Sequence, residues 1–368
     1  MMGVFYPLPG YPLSSSVCCS SHFILSSTFF PPFHSYNLLT PYTHTTLTRS
    51  NMKLPHLIFS TLIITTSPSF ADNTIPGAPD WSTPARGVAT EAHTTDIKLT
   101  LEGSSKQYTQ AEIDDKFSAP DWFPQQHAPM PEIVQFGKKP KVWACASCHL
   151  ASGFGHPESS TLAGLTESYM VQQLEAFASG QRIDYSGHMN RMAPLMTKQE
   201  MQAASKWFAS LTPRSFITVK EVNTVPVTYV DSTRMRQVDL TKNTEEPIGN
   251  RIIEVAVDKE IIHKRSPYGQ FISYVPQGSI ERGQALVKTG NGKTIPCASC
   301  HGSDLTGSSI GPSLAGNFGI YTVRQLHGFK AGTRNSPQSA MMKPVVAGLN
   351  DNDIVDIAAY LSSLPIAK

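Results

Sequence analysis

The pentapeptide "CASCH" stands at residues 145–149 and again at 297–301, 152 positions apart. Four of the six cysteines, Cys145, Cys148, Cys297 and Cys300, lie inside these two copies. The other two, Cys18 and Cys19, fall in an N-terminal stretch of different composition, so no cysteine is left over for a disulfide. The repetition extends further. "LAGLTESYMVQQLEAFASGQR" (162–182) and "LAGNFGIYTVRQLHGFKAGTR" (314–334) keep the same 152-residue offset. They share Tyr169/Tyr321, Gln173/Gln325, Leu174/Leu326, Phe177/Phe329, Gly180/Gly332 and Arg182/Arg334, among others.

C-x-x-C-H is the attachment signature of a c-type haem. Two thiols add across the two vinyl groups of one porphyrin, so they must lie a short fixed distance apart. The adjacent histidine then offers its ring to the iron. A C-x-x-C pair alone would equally suit a redox dithiol or half a zinc site. The following histidine and the recurrence favour haem, and the long separation of the pairs does not suit a compact zinc ribbon. The expected cofactors are two covalently bound haem c groups, held by Cys145 and Cys148 with His149, and by Cys297 and Cys300 with His301.

Around each motif the pattern is helical. Tyr169, Leu174 and Phe177 have helical spacing, with Gly180 as a stop. Thr197 three before Glu200, and Asn350 three before Asp353, are helix-start signals ahead of "MQAASKWFASL" and "IVDIAAYLSSL". Trp207 and Tyr360 hold matching places in these last helices and read as core. "SIERGQALV" (279–287) reads as a short capped helix before the second motif, and "PEIVQFG" (131–137) plays that part less clearly before the first. Between the halves, "FITVKEVNTVPVTYV" and "NRIIEVAVD" are β-branched and alternating, which predicts short strands. The expected fold is mainly α: two haem domains, 131–215 and 279–368, joined by a β-rich connection at 216–278. Residues 72–130 are expected to wrap over the surface, with one helix near 109–117.

The first 71 residues contain no Asp or Glu, and only Arg49 and Lys53 as bases. From Met52 the order is one lysine, a short apolar run at 57–64, then Ser69-Phe70-Ala71, the layout of a secretory signal peptide. Residues 1–51 are read as upstream of the true start, and the mature chain is expected in the periplasm. Its balance is 28 bases (30 less Arg49 and Lys53) against 28 acids. Partners must then be met through local patches, and no nucleic-acid footprint is visible. No apolar run is long enough for a convincing membrane span.

An electron-shuttling haem needs a second axial ligand, and a methionine thioether is the usual partner of histidine. Met189, Met192 and Met196 are candidates in the first half, Met341 and Met342 in the second. His156, His188 and His327 are read as solvent-facing or supporting groups. These motifs together, a haem box, a Tyr-containing helix ending in Gly-x-Arg, then Met, then a capped "DIVDIAAY" helix, resemble class I cytochrome c. Two in tandem resemble dihaem cytochromes of the c-four type. The resemblance covers roughly 130–211 and 279–364. It implies axial Met189 and Met342, with Met192 and Met341 as runners-up, and Arg182 and Arg334 near the haem propionates. The long insert departs from that type, whose halves are joined by a short linker. The resemblance implies an electron carrier between a dehydrogenase or bc-type complex and a terminal oxidase, peripheral to membrane complexes and not an enzyme. The alternatives are a dihaem peroxidase and a cytochrome subunit of a dehydrogenase complex.

Overall fold

The computed structural model describes residues 75–85, 88 and 95–366. The upstream start, the signal peptide, Cys18 and Cys19 lie outside the described residues. The N-terminal segment forms hairpin β1 (Leu99–Thr100) and β2 (Gln107–Tyr108), then α1 (Gln110–Asp114). Thr109 caps α1, with Glu112 closing the capping box. This segment does more than wrap the surface. Leu101, Ile113, Trp122 and Phe123 form a small core of their own, and Trp122 donates its indole N–H to the Lys264 carbonyl at 2.8 Å.

The first half follows: α2 (Glu132–Gln135), α3 (Ala146–His149), α4 (Glu167–Ala178), α5 (His188–Met192) and α6 (Lys198–Ala209). The insert carries β3 (Ile217–Val222), β4 (Thr224–Pro226), β5 (Thr228–Val230), β6 (Arg236–Val238), β7 (Glu245–Pro247), β8 (Ile253–Ala256), α7 (Lys259–His263) and β9 (Phe271–Pro276). The second half is α8 (Ser279–Thr289), α9 (Ala298–His301), α10 (Gly319–Ala331), α11 (Met342–Ala347) and α12 (Asp351–Ser363). Both expected capping boxes form: Thr197 with Glu200 starts α6, and Asn350 with Asp353 starts α12. The start of α8 is different from expectation. Its N-cap is Gly278, in the left-handed region at φ 76° and without a side-chain cap. Ser279 is already inside the helix, and its hydroxyl donates to the Pro276 carbonyl.

The halves are built to different lengths. In the second, the three-turn α8 crosses α12 so closely that a Cβ on Gly283 would lie 1.9 Å from the Asp356 carbonyl oxygen. Only glycine permits that approach. The Arg282 guanidinium clamps the same crossing through two bonds to Asp356, at 2.8 and 2.9 Å. In the first half, α2 is a single turn.

The insert is shared between two cores. Strand β9 pairs in parallel with β3 and antiparallel with β8. Alternate residues of β9 are buried. Phe271 enters the core of the first half, with Trp207, Phe208 and Phe154. Val275, four residues on, enters that of the second, with Leu286, Ile354 and Ile357. Phe318, just before α10, belongs to the first core, where it meets Phe216 and Phe271. Removing the insert would therefore open both cores.

Candidate haem sites

Each C-x-x-C-H motif folds as a one-turn helix whose N-cap cysteine already has helical dihedrals. That turn brings both thiols and the imidazole to one place. The histidines are held identically. His149 Nδ1 lies 2.9 Å from the Ser160 carbonyl, and His301 Nδ1 lies 2.7 Å from the Pro312 carbonyl, eleven residues on in each case. A carbonyl oxygen only accepts, so Nδ1 carries the proton and Nε2 keeps its lone pair for a metal. Burial lowers the pKa of both imidazoles and keeps them neutral. Burial also pushes the Cys145 thiol up to about 12 and the Cys297 thiol to about 11. All four motif cysteines are free of disulfides.

The first motif opens onto a cavity of about 930 Å³, lined by Cys145, Cys148 and His149 together with Met189, Met192 and Met196. That is the upper range of small-molecule and cofactor cavities, suited to a large planar group. The Met192 sulfur accepts the Trp143 backbone N–H at 3.3 Å. Met189 is half-buried against the same core and donates its N–H to Asp184. In the second half, Met342 packs on the core that also holds Cys297, whereas Met341 is 62% exposed.

Arg182 and Arg334 are brought together. Residues 181–183 and 333–335 run antiparallel: Ile183 N–H donates to the Thr333 carbonyl, and Asn335 N–H to the Gln181 carbonyl, each at 2.8 Å. Across this seam the side chains exchange. Arg182 donates to Tyr321 Oη at 3.0 Å and Gln325 Oε1 at 2.8 Å. Arg334 donates to Tyr169 Oη at 2.7 Å and Gln173 Oε1 at 3.0 Å. Each arginine also lies over the phenylalanine of its own half, Arg182 on Phe177 at 4.5 Å and Arg334 on Phe329 at 4.4 Å. The positions shared by the repeats thus make a two-fold seam between the halves. Arg182 also lines the first cavity. The Arg334 Nε is buried without a partner, a donor that a haem carboxylate would satisfy.

Other groups at the first site carry no motif. Arg324, 2% exposed, reaches from α10 to the carbonyls of Ser82 and Pro157, at 2.6 Å each. It lies 3.9 Å from Glu158, whose carboxylate accepts the Tyr185 hydroxyl. Burial raises the Glu158 pKa and pushes His156 down to about 3. His188 is no solvent-facing side chain: its ring lies 4.7 Å from that of Trp143. The signal that could have found Arg324 is an unpaired arginine on an otherwise apolar helical face.

One-turn C-x-x-C-H helices with carbonyl-anchored histidines, repeated in one chain, define a haem-attachment protein. The family model "Cytochrome c" matches residues 280–365. Cytochrome c-554(548) of Halomonas halodenitrificans is 40% identical over 75 residues, covering 20% of this chain and 90% of that protein. A thiosulfate dehydrogenase electron acceptor of Thiomonas intermedia is 24% identical over 232 residues, covering 62% of this chain and 82% of the relative. Cytochrome c4 of Pseudomonas aeruginosa is 38% identical over 77 residues, 20% of this chain and 36% of the relative. The chain belongs to the cytochrome c family. It is an electron-transfer cytochrome of c4-type resemblance, and its cofactor is covalently bound haem c.

Proposed function

We propose that the chain is a dihaem electron carrier of the periplasm, built as two class I cytochrome c-like domains, 131–215 and 279–368, with residues 216–278 packed between them. The single observation that carries this reading is the repetition of the whole attachment unit, down to the Nδ1–carbonyl bond eleven residues on. His149 and His301 would hold the iron of a bound haem through Nε2, and the haem would supply a one-electron couple at each site. Met189 and Met342 complete the coordination; in the second half the inward packing of Met342 and the exposure of Met341 support that choice. Arg182 and Arg334 hold the two halves in register and offer positive charge to haem carboxylates along the seam.

Relatives named as electron acceptors of thiosulfate dehydrogenase support a dehydrogenase of the periplasm as donor. A bc-type complex or terminal oxidase completes the chain of carriers, met at the periphery of the membrane. Held between a histidine and a methionine, a bound haem would pass electrons with little rearrangement and would be closed to peroxide and carbon monoxide. The test is a reduced-minus-oxidised spectrum with carbon monoxide and peroxide added. Two c-type haems indifferent to both ligands are expected; peroxide turnover at an enzymatic rate overturns the carrier reading in favour of a dihaem peroxidase.

A further inference from the structure

The 152-residue offset also marks what the two halves do not share. Glu158 and Tyr185 of the first half fall opposite Ile310 and Pro337 of the second. Both line the first cavity, with Cys148 and His149. The Glu158 side chain is 9% exposed, and its Oε2 accepts the Tyr185 hydroxyl. Among the described residues no other donor comes within hydrogen-bond distance of that carboxylate. Arg324 stops short, with Nη1 at 3.9 Å, because its guanidinium is bound to the carbonyls of Ser82 and Pro157 at 2.6 Å each. The same guanidinium lies over the Tyr185 ring, 4.7 Å from its centre. Arg234 and Arg236 of the insert also act on Glu158, and Asp184 acts on Tyr185. His156, neutral, accepts the Glu158 backbone N–H at 3.3 Å. Asp184 is better supplied than Glu158: its carboxylate accepts the Ser186 hydroxyl at 2.6 Å and the N–H groups of Ser186 and Met189.

We propose that Glu158, held by Tyr185, takes up a proton when an electron enters the first half and releases it when the electron leaves, so that this half carries electron and proton together. This rests on the electron-carrier reading. The balance is simple. The electron donor loses one electron, which would turn ferric iron of a bound haem into ferrous iron, and one proton passes from water to a Glu158 oxygen. Reoxidation reverses both. The physical reason is charge. A buried carboxylate with one neutral donor and a guanidinium beyond hydrogen-bond distance is weakly compensated. An electron added to the same cavity would place a further negative charge in a low-dielectric space, which raises the proton affinity of the carboxylate. Burial has already raised the pKa of Glu158, and it raises that of Tyr185 as well, so the phenol keeps its own proton. Tyr185 occupies Oε2, which leaves Oε1 to be protonated with no rearrangement of the network. Ile310 and Pro337 cannot bind a proton, so the second half carries the electron without this coupling.

The experiment is a spectroelectrochemical titration of the full haem-loaded protein from acidic to neutral pH, with redox-difference infrared spectra in light and heavy water. One haem potential should fall as pH rises, by up to about 59 mV for each tenfold change in proton concentration, and the other should stay level. Glu158→Gln keeps an acceptor for Tyr185 and should level the sloping potential. Tyr185→Phe removes the donor that favours the charged carboxylate, and should move the slope to higher pH. On reduction the wild-type protein should gain the carbonyl band of a protonated carboxylic acid, shifted in heavy water and missing from Glu158→Gln. An unchanged haem spectrum checks that each variant is folded. A slope that survives Glu158→Gln overturns the proposal and assigns the proton to another group, a haem carboxylate foremost. A slope lost without any such band in the wild-type protein overturns it too, and leaves Glu158 a structural role. Failure of the carrier reading has a separate signature: carbon monoxide binding by the reduced wild-type protein, whatever the slope.

Discussion

The two halves share a motif and a seam but differ in what surrounds them. In the second half, α10 begins under a carboxylate from outside, since buried Glu254 of β8 accepts the N–H groups of Gly319 at 2.7 Å and Ile320 at 3.4 Å. The matching α4 is capped by its own Thr166. The first motif sits under the insert and the N-terminal segment, whereas the second is flanked by exposed isoleucines and a methionine. The lesson is that a duplicated unit need not keep two equal surfaces. The residues that bind the cofactor and join the halves stay symmetric, and an insert between them alters the access to each site.

The largest expected effect breaks the symmetry outright. Cys148→Ser should disturb only the first haem and Cys300→Ser only the second, read as the intact mass and the haem-to-protein ratio. Loss of both haems from one substitution would mean that the sites do not mature independently. Next in size is the axial sulfur. Met342→Ala should remove the weak sulfur-to-iron absorption of one haem, lower its potential and open it to carbon monoxide, while Met341→Ala leaves the spectrum unchanged. The reverse outcome would exchange these two methionines as ligands.

The seam predicts equal costs on its two sides. Arg334→Ala leaves Tyr169 without its arginine donor and Gln173 with only Arg182, and Arg182→Ala leaves Tyr321 without its arginine donor and Gln325 with only Arg334. Breaking a buried charged network costs about 4 kcal/mol. Denaturant unfolding should show both variants destabilised by that order, with strong non-additivity in the pair. Additive effects would show that the two arginines act separately.

The smallest expected effect is a pH dependence confined to the capped helix. Burial lifts the Glu254 carboxyl from 4.5 to about 7 in the folded protein. A raised acid means the native state binds the extra proton between these values. Stability contributed by this group is therefore full below about 4.5 and falls as pH rises to about 7, by roughly 3 kcal/mol. Glu254→Gln should flatten that fall in a series of melting temperatures from pH 4.5 to 8. An unchanged slope would assign the titration to another buried group, Glu158 foremost.

Much of this was legible from single residues. The capping boxes at Thr197 and Asn350 are local hydrogen bonds that four consecutive residues can specify, and both formed as read. The start of α8 was misread because Ser279 had a local partner in Pro276, while Gly278 supplied the left-handed turn. Arg182 and Arg334 stood out as a shared position at a helix end, and the resemblance set them near haem propionates. Their partners across the seam were hidden, since Tyr321 and Gln325 for Arg182, and Tyr169 and Gln173 for Arg334, lie in the other repeat, at least 139 residues away in sequence. His188 carries no pattern, and Arg324 is marked only by its place on a helical face; the approach of α10 and the insert gives them neighbours.

The sequence by itself determined where the haem-attachment motifs stand, that the unit occurs twice, and which helices flank each motif. These rest on covalent spacing and on hydrogen bonds within a few residues. Only the tertiary structure decided that the repeats exchange arginines, that β9 feeds two cores, and that the first site is covered while the second is open. Those outcomes depend on which surfaces meet when distant segments close on one another, and no local pattern encodes that meeting.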